Sequence, residues 1–326
     1  MSIVGDYFTE LSDRFGNGWN EFWYRPSDPF TLSVIRIVTG VAALFMHITL
    51  APDVVRFFGA GGWFSPERVA QLSDGHSPSY LYWFSTPQEI TLVHWAGIAV
   101  LVLFTLGFFT RITSILSLIV VVATINRAPM LISQLEPVVV LLLLYLCIAP
   151  SGAYLSIDAW LRNRKRAAAH VATADDPRST WATIATRLMQ VHVTMLYGLM
   201  GLSKLMATQW WDGTGVWWLL ARPDSRLVDF TALHRYPMAV NLWNHAIVAF
   251  EISFAVLIWN RLARPLLLGI ALVIWPLTGL LTANIPFALI MLVANLAFFS
   301  PELLKRWLSP KAVPRPQPAS EAVRAV

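Results

Sequence analysis

The feature that most constrains this chain is a succession of apolar runs, most of them close to 20 residues, separated by short polar breaks. A run of that length, coiled at about 1.5 Å per residue, crosses roughly 30 Å of hydrocarbon. Lipid offers the backbone no hydrogen bonds, so each run must close its own as a helix. Spans are therefore read at residues 30–49, 88–108, 112–127, 129–149, 182–206, 241–260, 265–283 and 285–300. The implied fold class is all-α, a polytopic membrane helical bundle of about eight transmembrane helices. The third and eighth runs are short for a full crossing, so tilt or a re-entrant path would change the count. A content of 56% hydrophobic and only 13% charged residues excludes an ordinary soluble domain.

The pattern divides the chain into an amino-terminal cytoplasmic segment (1–29), a transmembrane domain (30–307) and a disordered cytoplasmic tail (308–326). With the amino terminus inside, fifteen of the 24 basic residues fall on the cytoplasmic side and six outside, leaving Arg36, Arg187 and Lys204 within spans. Both termini are thus expected in the cytoplasm, and the chain's brevity suggests a bacterial inner (cell) membrane. The formal charge of +5 is spread over loops and tail, which points to topology and lipid headgroups and not to nucleic acid. The first 29 residues have neither a basic leader nor a small-residue cleavage site, so no cleaved signal peptide is expected.

Two long outer segments, 50–87 and 207–240, are too long for turns and rich in aromatics, so both are expected at the interface. Within the first, Gly59, Gly61 and Gly62 follow no strand, which makes a turn and not a phosphate cradle. Cys147 is the only cysteine, so no internal disulfide or cysteine zinc site can form. No two histidines have the i, i+4 spacing of a helical zinc site, and no metal site is expected.

Ionisable groups inside a bilayer are costly, so those within spans are the first candidates for function: Arg36, Glu136, Arg187, His192, Lys204 and Glu251. His47, His94 and His245 lie nearer span ends. Arg36 and Arg187 also fit structural pairing or snorkelling to the cytoplasmic edge. His192 and Glu251 are each about ten residues into their spans, or ~15 Å, and could face one another as a packing hydrogen bond or a proton relay. Glu136, followed by Pro137, could cap a kink or contact a ligand. Lys204 ends an apolar helix whose Gly198 and Gly201 permit close helix approach, and Trp210, Trp211 and Asp212 follow. Burial disfavours an ammonium ion, so a lysine in such a place can act as a neutral base; snorkelling to headgroups is the plainer alternative.

With these residues in hand, the chain resembles the HTTM (horizontally transferred transmembrane) family, whose best-known member is the vitamin K-dependent gamma-carboxylase. The blocks that carry the resemblance are Arg36, the stretch from Gly107 to Ile112 (GFFTRI), Tyr154 to Asp158 (YLSID), Gly201 to Leu205 (GLSKL) with Trp211 and Gly213, and Phe299 to Glu302 (FSPE). They occur in order over about residues 25–307. The resemblance implies that Lys204 is the base that deprotonates a quinol-type cofactor on the outer side. Where carboxylases carry histidines, this chain has Ala153 and Trp275, so carboxylation of protein glutamates is not expected. The functional expectation is an outward-facing pocket for a quinone-like or lipid-like ligand, with Lys204 and His192 as catalytic candidates. Arg36, Glu136, Trp210, Trp211, Asp212 and Glu251 are the binding candidates. The alternative is a non-catalytic module that binds a lipid or a partner protein. A secondary transporter would need paired broken helices and related halves, and neither is present in the sequence.

Overall fold

The computed structural model describes residues 3–65, 68, 69, 71, 78–169, 177–222 and 227–308. Among these residues the chain is helical, and the sole β feature is an isolated bridge between Ser27 and Ser179. The tail read as disordered, from Ser309 onward, lies outside the described residues.

In chain order the helices are α1 (Ile3–Tyr24), α2 (Phe30–Leu50), α3 (Val54–Phe58), α4 (Pro87–Leu106), α5 (Thr110–Arg127), α6 (Leu135–Ile148) and α7 (Ile157–Ala168). They continue with α8 (Thr180–Leu205), α9 (Thr208–Trp211), α10 (Gly215–Leu220), α11 (Pro237–Leu257), α12 (Ala263–Thr282), α13 (Ile285–Asn295) and α14 (Pro301–Leu308). Among the described residues, five helical stretches are long and apolar enough to cross a membrane: 30–58, α4, α5, α11 and α12. Helix α6 and residues 285–298 are apolar but shorter, and α8, with 26 residues, carries Arg187, Gln190, His192 and Lys204.

Local chemistry sets the helix ends. Thr86 and Glu89 form a reciprocal cap at the start of α4, with Pro87 in the first turn, where its missing N–H is not needed. The same helix stops at Gly107, whose φ of +72° favours glycine. Ser156 and Ser179 cap α7 and α8 through their side-chain oxygens. The expected span at 129–149 is helical in two pieces, a short turn at Pro129–Leu131 and then α6. Glu136 folds back to accept hydrogen bonds from the Ser133 amide (2.7 Å) and hydroxyl (2.6 Å), so it organises the start of α6 and no mid-helix kink.

The core is continuous and formed by α2, α4–α6, α8 and α11–α13, with Ile35, Leu101, Phe104, Leu142, Met189, Phe254 and Met291 fully buried. The same helices expose large apolar side chains outward: Leu92 and Leu106 on α4, Ile112 and Ile119 on α5, Leu266 and Val273 on α12. Helices apolar on both inner and outer faces are suited to a membrane-embedded bundle, where the outer face meets lipid tails. Most of the segment before residue 30, which lies outside the expected spans, forms α1; its end docks on α8, where Arg187 Nε donates to the Phe22 carbonyl at 3.1 Å.

Two ends can be distinguished. The near end holds Ser27, paired with Ser179 at the start of α8, together with the loop 149–156 and α14. The far end holds the end of α8, the α9–α10 segment and the start of α11.

Candidate functional site

At the far end, α8 and α11 approach closely because Gly198 and Gly201 present no side chain between them. A Cβ on Gly201 would lie 2.6 Å from Ile252 Cδ1, and one on Gly198 would touch the Ala255 methyl at 3.4 Å. Three residues past Gly201, Lys204 Nζ donates to both Glu251 carboxylate oxygens, at 2.6 and 2.7 Å. The Glu251 side chain is 4% exposed and that of Lys204 18%, so the pair is sealed on the carboxylate side and reachable from the amine side. Nζ also lies 5.1 Å from the centre of the Trp210 ring, on the face an ammonium favours. Removing two charges from water costs several kcal/mol per ion and is offset only when the geometry is good, which two short charged bonds provide.

A roof covers the pair. Helix α11 begins well beyond the end of α8 and lines up Asn241, Asn244 and Glu251 at spacings of three and seven, one face of a helix. Asn244 donates to the Trp210 carbonyl at 2.7 Å and accepts from the Val216 amide at 3.1 Å, while Asn241 donates to the Asp212 carbonyl at 3.2 Å. These bonds hold α9 and α10 over the helix end. Trp211 is exposed and donates from its indole to the Leu205 carbonyl. Hydrogen bonds from the Thr214 hydroxyl and amide hold the Asp212 carboxyl below its ordinary pKa.

Two helical turns below Lys204, Tyr197 is wholly buried. Its hydroxyl accepts from Trp275 Nε1 at 2.6 Å and from Asn295 Nδ2 at 2.9 Å, and its ring stacks on Phe254 at 3.8 Å. Thus Trp275 donates to a tyrosine one layer beneath the charge pair.

The other sequence candidates lie elsewhere. His192 does not meet Glu251; its Nδ1 is 3.0 Å from the Tyr145 hydroxyl on α6. Arg36 is fully buried at the near end and donates to the carbonyls of Ser151 (2.7 Å) and Leu155 (2.5 Å). It therefore joins α2 to the GFFTRI and YLSID blocks, because Asp158 of the second block accepts the amides of Phe109 and Thr110 in the first, at 2.9 and 2.8 Å. Glu136 borders a far-end cavity of about 340 Å³ with His47, Phe57, Phe58, Thr124 and Asn284. His47 there stacks on His94, ring centres 5.7 Å apart. A second far-end hollow of about 290 Å³ is bounded by Asp212, Trp217, His234 and Asn241. Lys204 borders neither.

Sequence reasoning overlooked Asn241, Asn244 and Asn295. The signal for the first two was present: polar residues at ten and seven positions before Glu251 fall on its helix face. Comparison with protein-family models, with curated proteins and with solved structures yielded no match to this chain.

Proposed function

We propose that this chain is an HTTM-type integral membrane protein, with the eight apolar helices crossing the bilayer and both termini in the cytoplasm of a bacterial cell. In this reading the Lys204–Glu251 pair handles a proton for a quinone-like or lipid-like ligand that reaches it from the outer interface. The observation that carries the reading is the asymmetry of the pair: a carboxylate sealed in the core, bonded twice to an amine that is partly open beneath Trp210. Buried ionisable groups within a membrane are rarely retained for packing alone. The chemistry available is transfer of one proton between ligand and amine, with Glu251 holding the counter-charge. Trp210 and Trp211 would flank an amphipathic ligand, with Asp212 at the rim. Arg36 bonds the near-end loop and Glu136 borders a far-end cavity that Lys204 does not line, so both are assigned other work.

A non-catalytic binding module is the second reading, and one observation favours it. Both carboxylate oxygens already occupy the amine, and Lys204 lines neither far-end cavity. Native mass spectrometry of the detergent-purified protein, with lipid extraction, distinguishes the two. Wild type is expected to carry a quinone or lipid that Lys204→Ala and Glu251→Gln each lose. An equal load in wild type and variants would overturn the proton-handling site and leave the module.

A further inference from the structure

The near end carries a cleft that Lys204 does not line. This cleft, of about 1010 Å³, opens between the start of α5, the 149–155 loop and α7. Arg111 stands on one wall, in the first turn of α5, and Arg162 and Arg166 stand one turn apart on the other. Arg162 is drawn across the cleft by a hydrogen bond to the Ala153 carbonyl at 3.0 Å, one of the five N–H donors its guanidinium offers. Among the described residues Asp158 is the one carboxylate lining the cleft, and both its oxygens are engaged: Oδ1 by the Phe109 amide and Oδ2 by the Thr110 amide and hydroxyl. Beneath the floor, buried Arg36 donates to the Ser151 carbonyl and adds a further fixed positive charge. Among the described residues the cleft is therefore lined by more cations than acids, with Asp158 committed to capping α5 and Arg111 and Arg162 on opposite walls.

Its border is apolar on the membrane side. Phe109 and Ile112 are 61% and 59% exposed, and Ile115, Leu116 and Ile119 continue that exposed face along α5. A ligand here would place a phosphate between Arg111 and Arg162 and lay hydrocarbon along α5.

We propose that this cleft binds a phosphate-bearing anion, supplied by the headgroup of an anionic phospholipid. Guanidinium groups recognise phosphate oxygens in pairs, and basic pockets at the membrane edge suit such headgroups. The test uses the full chain in detergent, titrated in native mass spectrometry with phosphatidylglycerol, phosphatidylcholine or inorganic phosphate. Wild type is expected to prefer phosphatidylglycerol by about 10-fold, and Arg111→Gln/Arg162→Gln to retain a preference of no more than about 2-fold. Arg111→Gln alone, at an exposed position, should lower it about 3-fold without disturbing the fold. Arg164→Gln is the control, because Arg164 lies over the Trp160 ring outside the cleft and should leave the preference unchanged. The proposal is overturned if wild type shows no preference, if the double variant keeps it, or if Arg164→Gln loses as much. Displacement of phosphatidylglycerol by millimolar inorganic phosphate would overturn the lipid as the source.

Discussion

Two charge clusters, Arg36 with Asp158 at the near end and Lys204 with Glu251 at the far end, are held by different kinds of partner. At the near end Arg36 bonds to two backbone carbonyls and Asp158 to two backbone amides, and Lys305 joins Asp28 and Tyr154 from segments far apart in sequence. At the far end Lys204 and Glu251 bond to each other through side chains, and the roof above them is held separately by Asn241 and Asn244. A charge bonded to backbone dictates where the chain runs, so it cannot leave its partner without moving a loop. A charge paired with another side chain can exchange that partner for a ligand while the helices stay in place. Arg36 and Asp158 are thus built to fix topology, and the Lys204–Glu251 pair has the freedom that chemistry or binding requires.

The strongest challenge to this contrast is removal of one member of the pair. Lys204→Ala leaves Glu251 buried without a counter-charge and should destabilise the protein by about 3–5 kcal/mol in detergent unfolding. Replacing both, as Lys204→Met/Glu251→Leu, should recover most of that stability while ligand retention stays lost. A double variant as unstable as the single one would show that the pair also fixes the fold, and the contrast would fail.

At the near end, Arg36→Met should cost about 2–4 kcal/mol by leaving the Ser151 and Leu155 carbonyls without their donor. Ligand carriage per folded molecule should be unchanged. A loss of ligand without a loss of thermal stability would place Arg36 in the functional machinery after all.

The smallest expected effect depends on pH. Burial lowers the affinity of Lys305 for its proton, but hydrogen bonds to Asp28 and Tyr154 outweigh this and set its pKa above the ordinary 10.5. A raised lysine pKa gives stability that is fully present below 10.5 and is lost as pH climbs through the raised value. Because Lys305 is about one-third exposed, solvent screening holds the effect below ~1 kcal/mol. Thermal unfolding followed above pH 10.5 should show this loss in wild type and its absence in Asp28→Asn. An identical alkaline profile in both would remove Lys305 from the near-end clasp.

Much of the architecture was legible before the fold was known, because burial in lipid imposes a length and a polarity on every helix. Each of the eight expected spans contains a helix, five of them in stretches long and apolar enough to cross a membrane, although α6 starts later than its apolar run because Ser133 and Glu136 organise a turn first. The amino-terminal helix was not legible, since its aromatics alternate with charges and no burial pattern singles it out. Lys204 and Glu251 could each be singled out as ionisable residues in apolar surroundings.

Their partnership could not. Position along a helix gives depth at about 1.5 Å per residue, and by depth alone His192 seemed the natural partner for Glu251. Which residues meet also depends on the direction each side chain takes around its helix axis and on where antiparallel neighbours begin and end. Gly198 and Gly201 bring α11 onto one face of α8, and that face carries Lys204, while His192 turns toward Tyr145 of α6. The amino-acid sequence by itself determined that this chain is a bundle of apolar helices with a few costly charges inside, because hydrophobicity and backbone hydrogen bonding act locally. Only the tertiary structure decided that Arg36 clasps the near-end loops and that Lys204 finds Glu251, because pairing across helices depends on rotation and register that no single helix records.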